Sequence, residues 1–530
     1  MQSVEKLLSM DNPYKQSIIR NLPRILALFN RDQTSPMYGV GDRYHWAWKL
    51  IDFGNGTFQG AAHGFSRMLV SGLLPDYMSE YSAIKRIEEM FLGADRLRRK
   101  NGSMEEAFPF ESSFCVTALV AYDLLSAVEL LDTKIDVETR RNFIAIVQPM
   151  VRFLCRAKET HAFISNHLAT AAAALFKWQL LTGDSGKNRG KDILQDILSH
   201  QSDEGWFLEY EGADPGYQSL CTYYLADIHR MRPDLELLEP LKRSIRFLWN
   251  FAHPDGSFGG LYGSRNTRFY YPAGIEYLVA EIPEARVLAD FMRISISQQT
   301  TVTLDAMDEP NLMPMFNAYC WAATTYKEQS NNTPNNTVTN EKLPALSGEE
   351  RLVHFPHAGL VIATGFDFYT IISSHKGGVC YHFNDKKNII DGGVVVIDNK
   401  NRYYSTQAFQ PDNTVQIDNN MISIVAPLTK MCRTTQTPFR LLMLRLLNVT
   451  LMRNEKIGNL VKNTLVRFLI TGKKKLPNTI RRTIMIGAQC EIQDEWLNKQ
   501  GDLTFSSDQG DFVAIHMASQ GYWQRQDDSP

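Results

Sequence analysis

Residues 165–176 read SNHLATAAAALF, and their reading decides the fold. Ser165 or Asn166 can cap a helix, and the rest of the stretch has helical spacing. The run Ala171, Ala172, Ala173 and Ala174 carries nothing larger than a methyl group, as expected of a helix tightly surrounded by others. Five further segments open on small or polar residues and continue in the same way: QGAAHGFSRMLV from 59, ESSFCVTALVAYDLL from 111, PGYQSLCTYYLADI from 215, PAGIEYLVAEI from 272 and FNAYCWAATTY from 316. They recur at intervals of roughly fifty residues. Loops rich in Gly, Asp and aromatics precede them (IDFGNGTF, NGSMEEAFPF, DEGWFLEYEGAD, HPDGSFGGLYGSRNT), and outer helices such as LEPLKRSIRFLWNFA lie between. Helical hairpins of this length stack as an open solenoid or close into a ring. The tightly surrounded inner helix favours the ring, so the expectation for residues 1–326 is an N-terminal, incomplete or nearly closed α/α toroid. Its inner-helix loops would all open onto one end, where a cleft should form.

Residues 327–345, KEQSNNTPNNTVTNEKLPA, are polar, without periodicity and interrupted by two prolines, which is the signature of a linker. Beyond it come short β-rich runs bounded by turn residues: AGLVIATG, FDFYTIISSH, GGVVVIDNKNRYYSTQ, NNMISIVAP, RRTIMIGA and DFVAIHMASQ. They predict an antiparallel β-sandwich over 346–530. The chain as a whole has 530 residues, 44% apolar and 22% charged, with a net charge of -2. That composition excludes a disordered chain, and the charge balance gives no basis for nucleic-acid binding. No export signal is visible at the amino terminus, and no apolar run is long enough to span a bilayer. A cytoplasmic location is therefore expected. The seven cysteines are scattered and form no CxxC pair, which fits reduced, buried thiols.

The candidate chemistry gathers on the loops. Asn166 and His167 begin an inner helix, where a side chain can point into the cleft; the bland alternative is a cap and a first-turn residue. About fifty residues on, Tyr217 begins the next inner helix behind an acidic, aromatic loop holding Asp203, Glu204, Trp206, Glu209, Tyr210, Glu211 and Asp214. Adjacent repeats set these groups side by side. The following loop brings Arg265, Asn266 and Arg268 with Tyr262, Tyr270 and Tyr271 to the same end. Guanidinium groups bind carboxylates in bidentate fashion and aromatic rings pack on sugar faces, so this loop suits an acidic sugar; otherwise it is a solvated loop whose arginines pair with the neighbouring acids. His45, Trp46, Trp48 and His63 are weaker candidates. In the β domain, GGVCYHFND (377–385) places His382 just after a glycine turn, either leaning over the cleft or satisfying the turn.

With these residues assembled, the chain resembles the heparinase II/III-like polysaccharide lyases. The resemblance covers most of the chain and rests on the domain order, on SNHLATAAAALF, on the acidic loop leading to PGYQSLCTYYL and on GGVCYHFND. It implies an acidic polysaccharide as substrate and makes Asn166, His167, Tyr217 and His382 the catalytic positions. Trp206, Glu211, Tyr262, Arg265, Asn266 and Arg268 are expected to bind substrate. The glycine turn departs from the family's GGH pattern, with Val379 and Cys380 standing where the first His is expected. No metal and no cofactor are therefore expected.

The implied mechanism is β-elimination, or C5 epimerisation if the proton returns on the opposite face. The uronate carboxylate must first be neutralised, by Asn166 with help from His167 or Arg265. Tyr217 or His382 would then take the C5 proton, or Tyr217 would donate to the leaving O4. Two other readings compete. An α/α-toroid glycoside hydrolase would use the loop carboxylates, and a non-catalytic polysaccharide-binding or assembly protein would keep the fold without the reaction. Finally, residues 436–482 hold eleven Lys and Arg against only Glu455. This stretch offers peripheral contact with an anionic membrane at its inner face, or else forms sandwich strands with solvated bases.

Overall fold

In the computed structural model, the described residues are 12–507 except 48–50, 161, 333–340, 432–436, 455–456, 459, 462–463 and 465–474. Helices fill the first part in strict alternation. Outer helices are α1 (Pro13–Leu26), α3 (Glu80–Leu97), α5 (Val137–Leu154), α7 (Arg189–Ser199), α9 (Leu238–Leu248) and α11 (Pro283–Gln298). Between them run the inner helices α2 (Ala61–Val70), α4 (Phe114–Leu130), α6 (Ser165–Thr182), α8 (Pro215–Met231), α10 (Ala273–Leu278) and α12 (Glu309–Asn332). All six expected repeats are present as inner helices.

Local chemistry sets several of the helix starts. The side chains of Ser113 and Asp214 accept from the backbone amides of Val116 and Tyr217, satisfying donors that a helix leaves unpaired in its first turn. Ala171 to Ala174 are wholly buried, which lets α6 sit between α4 and α8. The outer helices bury one face only; α9 does so through Leu241, Ile245 and Leu248. Successive inner helices touch all the way round, and α12 returns to α2. Asn317 closes the ring: its Oδ1 accepts from Gly64 N at 3.0 Å and its Nδ2 donates to Gly60 O at 3.0 Å.

A buried charge network ties the carboxyl ends of α4, α6 and α8. Lys177 is paired with Asp227 (3.0 Å) and Glu129, and Arg230 joins both acids at 2.7 and 2.9 Å. Burial would raise the Asp227 carboxyl, but Lys177 and Arg230 outweigh it and hold the group well below the usual carboxylate range.

The β part holds two antiparallel sheets. The first has the order β1 (Arg351–Phe355), β2 (Leu360–Thr364), β3 (Phe368–Ser373), β4 (Val379–Asn384) and β5 (Ile389–Asp391). The second contains β6 (Val395–Asp398), β7 (Tyr403–Ser405), β8 (Thr414–Asp418), β9 (Met421–Lys430), β10 (Lys475–Met485), β11 (Glu491–Asn498) and β12 (Leu503–Phe505). Its order is β11-β10-β9-β7-β6-β12, with β8 also pairing β9.

Alternation along the strands divides the first sheet between two partners. Tyr369, Ile371, Tyr381 and Phe383 join the apolar core of the toroid. Val361, Ile372 and Cys380 pack against Ile422, Ile424 and Ile484 of the second sheet. Leu261 N donates to Tyr381 Oη at 3.1 Å, and Tyr369 Oη donates to Asn250 O. Gly260 (φ 149°) meets this contact, since a Cβ there would stand 2.7 Å from the Tyr381 ring.

The strand expectations hold at five of the six runs, and DFVAIHMASQ (511–520) lies outside the described residues, as do Trp48 and residues 333–340 of the expected linker. The basic stretch divides. Residues 475–485 form β10, whereas α13 (Pro438–Val449) is a helix, so the strand alternative is corrected over 438–449.

Candidate active site

The loops that lead into the inner helices meet at one end of the ring. The backbone first brings two of them together: Ser165 N donates to Leu208 O at 3.0 Å, and Tyr210 N donates to Phe163 O at 3.2 Å. This pairing sets Glu209 beside the first turn of α6. Asn166 Nδ2 then donates to Glu209 Oε2 at 2.6 Å. The next loop is fixed by Asp214, the cap of α8, which accepts from Tyr217 N (3.1 Å), from Arg265 N (2.9 Å) and from the Thr267 hydroxyl. One carboxylate thus joins the start of α8 to the arginine loop. From there Arg265 Nη1 donates to Glu209 Oε1 at 3.2 Å. Its guanidinium carbon lies 4.3 Å from the Tyr210 ring centroid and 5.2 Å from that of Tyr217, within cation–π range.

The electrostatics follow from burial. Desolvation pushes the Glu209 carboxyl up to about 8, even though Arg265 and Asn166 favour its ionised form. Burial likewise raises the Tyr210 phenol to about 12 and lifts Tyr217 above the ordinary tyrosine range, with Arg265 opposing both shifts. Arg265 loses hydration, but Tyr210, Tyr217, Glu209 and Asp214 outweigh that loss and keep it a cation. The site therefore holds a guanidinium, phenols whose ionisation burial opposes, an amide donor and a carboxyl whose hold on a proton burial strengthens. His167, on the next residue of α6, has Nδ1 2.9 Å from Glu159 Oε2. His167, Tyr217 and Arg265 are all partly exposed.

Asn166, Arg265 and Tyr217 thus meet around Glu209, His167 follows Asn166 on α6, and Arg268 is partly exposed on the same loop as Arg265. Asn266 is buried in a left-handed turn (φ 57°), while Glu211 is exposed. Three expected positions fall elsewhere. His382 is wholly buried on the face of β4 that carries Cys380, with Nδ1 2.8 Å from Thr370 Oγ1 and Nε2 3.2 Å from Asn384 Nδ2. Alternation turns it into the sandwich, because Tyr381 beside it takes the toroid-facing side. Tyr262 is buried against Phe251 and Tyr381, its hydroxyl 2.8 Å from His253 Nε2. Trp206 is buried too and donates to Glu204 at 2.9 Å. Packing of the first sheet over this side of the toroid accounts for both aromatics.

Of the weaker candidates, Trp46 donates to Leu28 O at 2.7 Å and His63 is buried against Asp123 at 3.1 Å. Glu209 is the centre of this cluster, and the sequence named it only as one of seven residues of its loop. Its position directly before the tight turn at Tyr210 and Glu211 was the available signal. The β7–β8 loop adds Phe409, whose ring lies 2.5 Å from where a Cβ on Gly212 would stand, and Lys376 on the β3–β4 turn donates to Gly263 O at 3.0 Å. Both support the loops that carry Glu209 and Arg265.

No family model and no curated protein sequence matches the chain. Among solved structures it is similar to chondroitin AC lyase of Streptomyces coelicolor A3, determined in complex with chondroitin sulphate, at 10% identity and a TM-score of 0.53. That match covers 90% of this chain and 65% of the lyase, so the chain spans just under two thirds of that protein. Heparinase III is matched at 10% identity over 91% of this chain and 80% of the enzyme, with a TM-score of 0.47. An unsaturated glucuronyl hydrolase of Bacillus sp. GL1 is matched at 13% identity over 62% of this chain and 97% of that one, with a TM-score of 0.39. At such identities the chondroitin AC lyase match speaks for the fold alone. The chain has the α/α toroid followed by an antiparallel β-sandwich that is also the architecture of that lyase.

Proposed function

We propose that the protein is a polysaccharide lyase acting on a uronic-acid-containing polymer by β-elimination. The observation that carries the reading is the meeting of Asn166, Arg265 and Tyr217 around the buried carboxyl of Glu209. A proton next to a carboxylate is hard to remove while that carboxylate keeps its full charge. Asn166 and Arg265 can hydrogen-bond the substrate carboxylate, and a protonated Glu209 can donate a hydrogen bond to it, so negative charge moving onto that group in the enolate is stabilised. His167, steadied through Nδ1 by Glu159, accepts the C5 proton at Nε2. Tyr217, neutral at the working pH, donates its phenolic proton to O4 as the C4–O4 bond breaks. The products are a 4,5-unsaturated uronate and a new free hydroxyl.

The hydrolase reading is less well served by the same loop. Asp214 is committed to capping α8 and holding the arginine loop, and Glu204 accepts from Trp206 Nε1 and from the amides of His357 and Ala358. The experiment is a mass balance on the products of an acidic polysaccharide. Elimination leaves fragments whose masses sum to that of the substrate, whereas hydrolysis adds one water per cleavage. Added water would overturn the proposal.

A further inference from the structure

Among the described residues, helix α13 is the one of ten residues or more that buries almost nothing. Of its twelve residues, PFRLLMLRLLNV, only Asn448 is buried. Phe439 is 70% exposed, Leu442 55%, Met443 49%, Leu446 48% and Val449 49%, and Leu451 just beyond it is 54% exposed. Such a concentration of exposed apolar surface marks an interaction site. The sequence around it is strongly basic: residues 437–475 contain nine Lys and Arg and a single Glu. Length decides how such a segment meets a bilayer. Twelve helical residues extend about 18 Å, well short of the ~30 Å hydrocarbon core, and among the described residues no helix is long and apolar enough to cross a membrane.

We propose that α13 docks the protein onto an anionic lipid surface, its leucines and Phe439 entering the headgroup boundary while the positive charge of the segment draws it to the phosphates. Charge complementarity selects this occupant. A second copy of the chain would bring the same basic segment against itself, and a soluble polyanion would use the bases but not the leucines. The helix also has a fixed place. Arg445 Nε is 3.3 Å from Asp52 Oδ2, and the Arg453 guanidinium carbon lies 4.9 Å from the Phe110 ring centroid. Asp52 and Phe110 belong to the loops that enter α2 and α4, so the docked helix holds the cleft end of the toroid beside the lipid.

The test is co-sedimentation of the full chain with phosphatidylcholine vesicles, with and without phosphatidylglycerol. The proposal expects binding that needs phosphatidylglycerol and weakens as salt rises. It also expects a loss of about tenfold or more in the partition coefficient of the Leu442→Ser/Leu446→Ser double variant, and of about fivefold for Arg440→Gln. Because these side chains are exposed, thermal melts of the variants should match the wild type, which separates lost docking from lost folding. Three results would overturn the proposal: no binding to anionic vesicles, salt-sensitive binding that the double leucine variant retains in full, or a dimer in sedimentation equilibrium that the double variant dissolves.

Discussion

Replacing Glu209 by Gln removes the titratable group at the centre of the site while keeping its shape, and it should flatten the dependence of stability on pH. Burial lifts the folded-state pKa of Glu209 to about 8, whereas a glutamate in the unfolded chain titrates near ~4.3. Below the lower value both states hold the proton and the group has no effect. Between the two values the unfolded chain has released its proton and the folded chain has kept it, so the folded state binds more protons and loses stability as pH rises. Above about pH 8 both forms are ionised and the full penalty is present. At 1.36 kcal/mol per pH unit the penalty reaches at most about 5 kcal/mol. A glutamine at this position cannot ionise, so the variant should gain several kcal/mol on the wild type between pH 5 and 8.5, after an initial cost of about 1 kcal/mol for one altered hydrogen bond. Asp308, raised to about 6 by burial, titrates in both proteins and cancels in the difference. Urea unfolding of both proteins across that range supplies the comparison. Parallel stability curves would refute the reasoning, because they would mean that Glu209 is a carboxylate paired with Arg265 throughout.

The same titration should draw the alkaline limb of the activity profile, with kcat falling above about pH 8 as Glu209 loses the proton it donates to the substrate. Tyr217→Phe should cut kcat by about 10² to 10⁴ while thermal melts stay close to wild type, since the ring keeps its packing on Phe269; a variant with full activity would remove Tyr217 from the chemistry. His167→Gln should cost a similar factor, whereas His382→Gln should leave kcat per folded molecule within about twofold, and the reverse ranking in steady-state assays would return the base to the sandwich. Lys177→Met removes one of the two cations on Asp227 and Glu129 and leaves Arg230 on both, so it should destabilise by about 1.5 to 3 kcal/mol at neutral pH. Asp227 is held low in the folded chain, so its contribution is present above the unfolded aspartate value and is lost in acid. The difference between variant and wild type should accordingly narrow as pH falls, in denaturant titrations.

The toroid was legible because the repeats announce themselves locally, through helical spacing from small or polar residues and, in four of the six, a loop rich in Gly, Asp or aromatics. Asn166 and Tyr217 were legible for the same reason, since both open inner helices and neighbouring repeats must stand side by side. Glu209 was not, because six other residues of its loop looked equally able to serve. What selects it is long-range: the bond from Ser165 N to Leu208 O, which no spacing rule encodes. His382 went astray over the phase of a strand. The run Cys380, Tyr381, His382, Phe383 alternates, and once Tyr381 meets Leu261 its neighbour must face the other sheet. Trp206 and Tyr262 read as sugar platforms because aromatics on loops can serve as such, but the overlying sheet buries them. At α13 the mixture of Leu and Arg fitted strand or helix, and a local signal marks the helix start: Thr437 accepts from Arg440 N and Pro438 sits in the first turn.

Absorbance in the ultraviolet band of a 4,5-unsaturated uronate, followed while the protein is offered a panel of acidic polysaccharides, tests the central claim most directly. The elimination mechanism predicts a rise with at least one polymer, abolished both by Tyr217→Phe and by Asn166→Ala. New reducing ends appearing without that absorbance, and persisting in both variants, would contradict it.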